Sequence, residues 1–196
     1  MTTIVAVQKS GSVCIAADTL ARYGSAKESA DYIANHDKLV PVGDAVLAPA
    51  GPASVNLILK SYFKDPENAR AFGTLEEVFE TIRELQAALK EDYFLNPKED
   101  ESDPYESIQM ELLIASPGGM FGVYPLRSIQ QYKRFCAFGS GAEYAMGAMH
   151  ACYDQLDRPE AIVERALAAA ACFDSSTALP MTARTIELRS APAPTA

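Results

Sequence analysis

The grouping of short apolar runs limits what this chain can fold into more than any other feature. Residues 4–7 (Ile-Val-Ala-Val) and 13–18 (Val-Cys-Ile-Ala-Ala-Asp) flank Lys9-Ser10-Gly11-Ser12, and two apolar runs around a Gly/Ser turn read as a strand pair. A second pair, 38–42 and 45–48, closes around Gly43-Asp44. Two helical patterns follow, over 53–63 and from Thr74 onward. Further strands read at 110–115, 120–124, 129–132 and 135–138, the first two joined by Pro117-Gly118-Gly119. Helices over about 143–156 and 159–173 and a last strand at 185–188 complete the order. Strands that come in groups, not one by one between helices, argue against a parallel βαβ sheet. Two packed antiparallel sheets with a helix pair on each outer face cover every apolar surface. The expected fold is therefore α+β, a four-layer αββα sandwich.

Local signals agree. Thr74-Leu75-Glu76-Glu77 is a capping box, in which Thr and Glu satisfy each other's free amides. Behind it Leu75, Val78, Phe79, Ile82, Leu85 and Leu89 recur at helical spacing. Pro159 stands near the start of its helix, where a missing amide costs nothing. After Asp18 the pattern weakens into a polar loop through Arg22 and Gly24 as far as His36-Asp37. The acidic, proline-bearing stretch 96–104 reads as a surface loop. With 196 residues and no repeat or linker, residues 2–190 are expected to form one unit. Residues 191–196, Ala-Pro-Ala-Pro-Thr-Ala, are expected to be a disordered tail.

Composition removes several function classes. A net charge of -9 argues against a nucleic-acid surface, no apolar run reaches membrane-spanning length, and the start lacks a cationic leader. Cys14, Cys136, Cys152 and Cys172 form no C-x-x-C pair and sit mostly among apolar residues. They read as buried, reduced thiols, which points to the cytoplasm. His36 and His150 lie outside any nucleophile-elbow context, which speaks against a Ser-His-Asp triad. No His/Cys/carboxylate set has metal-ligand spacing and no phosphate loop occurs, so neither metal nor cofactor is expected.

Removal of Met1 would make Thr2 the N-terminus. A free α-amine, with a pKa of about 7.7–8.0, can serve as general base for the threonine's own hydroxyl, and no histidine is then needed. Taken alone, Thr2 reads better as the first residue of an edge strand, and Gly139-Ser140-Gly141 as a helix-leading turn with a capping serine.

Taken together, the pattern resembles a known family. Thr2-Thr3-Ile4-Val5 through Ala16-Ala17-Asp18, then Lys38, Ala50-Gly51, Gly139-Ser140-Gly141 and Asp174-Ser175-Ser176-Thr177 follow the order found in proteasome β-type subunits and in the bacterial peptidase subunit HslV. The resemblance runs from Thr2 to about Leu188. The 174–177 corner looks nearer to the proteasome branch, which suggests a divergent bacterial proteasome homologue. The resemblance implies an N-terminal nucleophile hydrolase fold and a threonine-type endopeptidase that encloses its own active sites.

By the same resemblance, Thr2 matches the nucleophile, Lys38 the cation that lowers its pKa, and Asp18 the carboxylate that orients Lys38. Gly51 matches the oxyanion-binding amide, and Ser140, Asp174 and Thr177 match the shell around the N-terminal amine. Arg22 and Ala53 match positions whose backbone pairs with an extended substrate, and Pro49 occupies a specificity-pocket position. The stretch from Gly24 to Lys38 is longer than the family's, so Lys27 is the alternative to Lys38, and the 96–104 loop exceeds that of the bacterial subunit. Implied partners are unfolded protein or peptide substrates, further copies in stacked six- or seven-membered rings, and an AAA+ unfoldase or other gatekeeper, with no nucleic acid and no membrane. Two alternatives stay open: a ring-forming paralogue made incompetent, as by a retained Met1, and an N-terminal nucleophile amidase acting on small amides.

Overall fold

The computed structural model describes residues 2–68, 71–98 and 100–189. Strands β1 (Thr3–Lys9) and β2 (Ser12–Asp18) form an antiparallel hairpin. Its two-residue turn has both residues left-handed, Ser10 at φ 53° and Gly11 at φ 82°, a twist that suits a tight hairpin. Next come β3 (Ala21–Tyr23), β4 (Ala26–Glu28), β5 (Val40–Val42), β6 (Ala45–Ala50), α1 (Val55–Tyr62), a short 3-10 turn (Pro66–Asn68) and α2 (Leu75–Glu91). The second half runs β7 (Glu111–Ser116), β8 (Gly119–Val123), β9 (Ile129–Tyr132), β10 (Phe135–Gly139), α3 (Ala142–Cys152), α4 (Pro159–Phe173) and β11 (Met181–Glu187). One sheet has the order β10-β1-β2-β11, the other β5-β6-β7-β8-β9, and both are antiparallel throughout.

Three apolar layers show the stacking. Ile4, Ala6, Val13, Ile15 and Ala17 meet Val46, Ala48, Leu113 and Met120 between the sheets. The alternate residues of the same strands, Val5, Val7, Cys14 and Ala16, face Met149, Ile162, Val163 and Leu167 of α3 and α4. Leu47, Leu112, Ile114 and Phe121 pack on Leu59, Val78, Ile82, Leu85 and Leu89 of α1 and α2. Strands buried on both faces need no polar alternation, which is why β1 and β2 read as unbroken apolar runs. The fold is the expected αββα sandwich.

Several details differ from expectation. The weak segment after Asp18 contains a hairpin, β3–β4, whose strands are too short and too polar to show periodicity. Strand β5 starts at Val40, so Lys38 lies in the loop before it. Helix α1 starts at Val55 instead of residue 53. Helix α3 stops at Cys152, and the chain turns there as Leu156 N bonds back to Cys152 O. Strand β11 begins at Met181, four residues early, because backbone pairing along β2 extends it while its outer face stays partly exposed. The capping box on α2 is present in both directions, but Leu75 and Phe79 are 40% and 45% exposed, lining an open groove beside Ile129 of β9. Only Cys14 and Cys136 are buried, their thiols pushed up to about 11 by burial, whereas Cys152 is half-buried and Cys172 exposed. Among the described residues no helix is long and apolar enough to cross a membrane. The tail expected over 191–196 lies outside the described residues, as does Met1.

Candidate active site

Strand β2 ends at Asp18 beside the start of β1, and this junction assembles a charged cluster. A single carboxylate oxygen, Asp18 Oδ1, accepts three hydrogen bonds: from Thr2 Oγ1 at 2.8 Å, from the Thr3 amide at 2.9 Å and from Lys38 Nζ at 2.7 Å. The other oxygen accepts from the Leu20 amide at 3.0 Å. The Asp18 side chain is fully buried, and that of Lys38 is 19% exposed. A buried carboxylate persists only when paired and hydrogen-bonded, and here both lone-pair sets are used. Burial holds the Lys38 ammonium below the ordinary lysine value, an effect that the charge and hydrogen bond of Asp18 offset in part.

The loop carrying Lys38 is itself fixed. Asn56 Nδ2 on α1 donates to Lys38 O at 2.9 Å, and Asp37 accepts from Thr182 Oγ1 at 2.8 Å and the Leu39 amide at 2.9 Å. Lys27, the alternative cation, is exposed on β4 opposite Arg22. The structure thus brings Lys38, and not Lys27, to Asp18 and Thr2.

The main chain of Thr2 is held from the other direction. Thr2 O accepts from the Ser140 amide at 2.9 Å and from Ser140 Oγ at 3.4 Å. Ser140 Oγ also donates to Asp174 Oδ2 at 2.7 Å, which accepts Thr177 Oγ1 at 2.6 Å as well. Burial acts to raise the Asp174 carboxyl, but hydrogen bonds from Thr177, Ser140 and the Ser176 amide, with the charge of Arg22, hold it below its ordinary value. Ser140 is not a helix cap, because α3 is capped by Gly141 with no side-chain bond. Gly139 sits at φ +91°, and a Cβ there would lie 2.0 Å from Thr2 O, so the backbone passes too close for any other residue.

Thr3 was missed by the sequence reading. It is fully buried, its Oγ1 accepts from the Gly141 amide at 3.0 Å, and it shares a short hydrogen bond with Thr177 Oγ1. The one available signal was a second hydroxyl residue opening an apolar strand.

Thr2 opens onto a cleft of about 600 Å³ whose walls include Lys38, Arg22, Pro49, Gly51 and Ala53. Pro49 is buried in β6 opposite Leu112. Gly51 follows in an exposed bend, where a Cβ would press on Met110 Cβ at 3.1 Å and Gln109 O at 3.2 Å. A side chain there would make Met110 and Gln109 give by a few tenths of an ångström. Ser140, Asp174 and Thr177 are not among the cleft-lining residues and reach Thr2 through its backbone. Among the described residues no cluster of His, Cys, Asp and Glu could hold a metal ion.

No protein-family model matches the chain, and no curated protein matches it. Solved structures do. Thiobacillus denitrificans BPH is 42% identical, covering 96% of this chain and 99% of that one, with a TM-score of 0.89. The same protein in complex with epoxomicin gives 40% identity, 96% and 100% coverage, and a TM-score of 0.90. Eukaryotic HslV from Trypanosoma brucei shares the fold, at 22% identity, 95% and 99% coverage and a TM-score of 0.66.

Proposed function

The chain belongs to the family of the bacterial proteasome homologue Thiobacillus denitrificans BPH, and from that premise we propose that it is a threonine-type endopeptidase with Thr2 as its nucleophile. The observation that carries this reading is the hydroxyl of Thr2, which faces an open cleft while bonded to a buried carboxylate that also holds Lys38. The Lys38 ammonium held there favours the deprotonated hydroxyl, against the opposing charge of the Asp18 carboxylate.

With Met1 removed, the Thr2 amine accepts the proton from Oγ1 as that oxygen attacks the scissile carbonyl. The carbonyl oxygen becomes an oxyanion, stabilised by the Gly51 amide. Collapse of this intermediate breaks the C–N bond, the amine returns the proton to the leaving nitrogen, and an ester on Thr2 remains. A water, deprotonated by the same amine, then hydrolyses the ester. Lys38 keeps positive charge beside the developing negative charge, and Asp18 orients it. Ser140, Asp174 and Thr177 fix the backbone of Thr2, and the backbones of Arg22 and Ala53 flank an extended peptide whose side chain meets Pro49.

The same reading makes the protein a divergent member that works in the cytoplasm as a homo-oligomer of two stacked six- or seven-membered rings, fed by an unfoldase or other gatekeeper. Head-to-tail contacts that close on themselves build such rings. Thr2→Ala should abolish cleavage of a peptide panel, while native mass spectrometry still finds about twelve or fourteen subunits. Cleavage that survives Thr2→Ala places the nucleophile elsewhere. Turnover of small amides but not peptides favours the amidase alternative.

A further inference from the structure

The hairpin β3–β4 is a wall of the cleft without a core of its own. Each strand has three residues, the two pair only with each other among the described residues, and the chain is exposed from Tyr23 to Glu28. A lone two-stranded ribbon is marginal in water, so its position along the cleft has to be imposed from outside. The side chain of Arg22 does this. Its Nη2 donates to Gly24 O at 2.9 Å, inside the hairpin turn. Its Nη1 donates to Ser176 Oγ at 2.7 Å and, at 3.3 Å each, to the Oγ and carbonyl oxygen of Ser175. Among the described residues, these are the side-chain hydrogen bonds that tie residues 21–28 to the rest of the molecule.

The partners matter as much as the bonds. Ser176 donates its amide to Asp174 Oδ1 at 3.1 Å, and Asp174 holds Ser140, which holds the carbonyl of Thr2. One guanidinium therefore joins the wall that a peptide would lie against to the loop that fixes Thr2. We propose that Arg22 is a positioning residue whose forked side chain registers the hairpin with the 174–177 corner, so that peptide and nucleophile are held in one frame. This rests on the peptidase reading above and adds to it a role for the side chain, distinct from backbone pairing. The role needs the planar fork: a lysine at this position keeps the charge but reaches one of the two anchor points at a time.

The test compares the full-length protein with Arg22→Ala, Arg22→Lys, Ser176→Ala and the Arg22→Ala/Ser176→Ala double variant. Two readouts are taken, steady-state cleavage of an extended peptide amide and hydrogen exchange of residues 21–28. The latch predicts a rise of about tenfold in KM for Arg22→Ala with kcat changed by less than about threefold. Arg22→Lys should not rescue it, and the KM losses of Arg22→Ala and Ser176→Ala should not add in the double variant, because the Arg22–Ser176 bond is lost in each. Exchange across 21–28 should quicken in every variant. An unchanged KM, a loss confined to kcat, rescue by lysine or additive losses would each overturn the proposal. If the unsubstituted protein cleaves no better than Thr2→Ala, the peptidase reading fails by itself. Exchange then decides the latch alone, with unchanged protection in Arg22→Ala ruling it out.

Discussion

The two sides of Thr2 are held by different physics. On the hydroxyl side, Asp18 is fully buried and its Oδ1 collects three donors, with Lys38 as the ionic partner. On the carbonyl side, Ser140 is exposed, Asp174 is half-buried, and Thr2 O receives both the amide and the hydroxyl of the same serine. Water can replace a lost partner on the second side, whereas on the first it reaches the cleft-facing Thr2 and Lys38 but not the Asp18 carboxylate. The contrast implies that the buried pair fixes charge and chemistry at a high cost of failure, whereas the exposed shell adjusts geometry and tolerates loss.

Asp18→Ala breaks the comparison at its most sensitive point. It leaves Lys38 without its counter-charge and three donors without an acceptor. Removing one partner of a buried pair costs about 3–5 kcal/mol, so the denaturant midpoint should fall sharply. A loss below about 1 kcal/mol would show that the site is wetter than its burial indicates.

Lys38→Ala comes next and acts mainly on rate. Acylation should slow severely with KM little changed, because in the proposed mechanism the charge serves the reacting oxygen and not the bound peptide. A change confined to KM, or equal damage from Lys27→Ala, would contradict the assignment. The pH dependence follows from the lowered Lys38 value. The ammonium discharges below the ordinary 10.5, so cleavage should fall on the alkaline side earlier than an ordinary lysine would allow. Between the lowered value and 10.5 the unfolded chain holds more protons than the folded one. The contribution of this residue to stability therefore rises with pH across that window. An alkaline limb at or above the ordinary value would contradict the buried geometry.

Ser140→Ala should have the smallest effect. Its amide still donates to Thr2 O, and the half-buried Asp174 can take a water in place of the hydroxyl, so the expected loss is about 1 kcal/mol or less in stability. Its activity should fall only a fewfold. A loss as large as that of Lys38→Ala would erase the distinction between the two sides.

The parts that were legible in the sequence share a physical trait. Strands β1, β2, β6 and β7 are buried, so their apolar runs record both the element and its neighbours. The capping box before α2 is local chemistry and survives as written. The hairpin β3–β4 was invisible because three-residue strands with no buried face leave no period. Leu75 and Phe79 misled because periodicity reports which face of a helix is apolar, not how much of that face its neighbours cover. Thr3 was missed since its work depends on Gly141 and Thr177, far away in sequence. The nearness of Asp18 to Thr2 follows from the β1–β2 hairpin, whereas Lys38 was suggested by family resemblance and not by spacing, as it comes from a separate loop.

The whole scheme depends on a free amine at Thr2. Intact mass and N-terminal sequencing of the protein purified from its native cells address this directly. The expected result is a chain that begins at Thr2 with an unmodified amine. A retained Met1, or an acetylated terminus, would leave Thr2 without its base and contradict the threonine peptidase assignment.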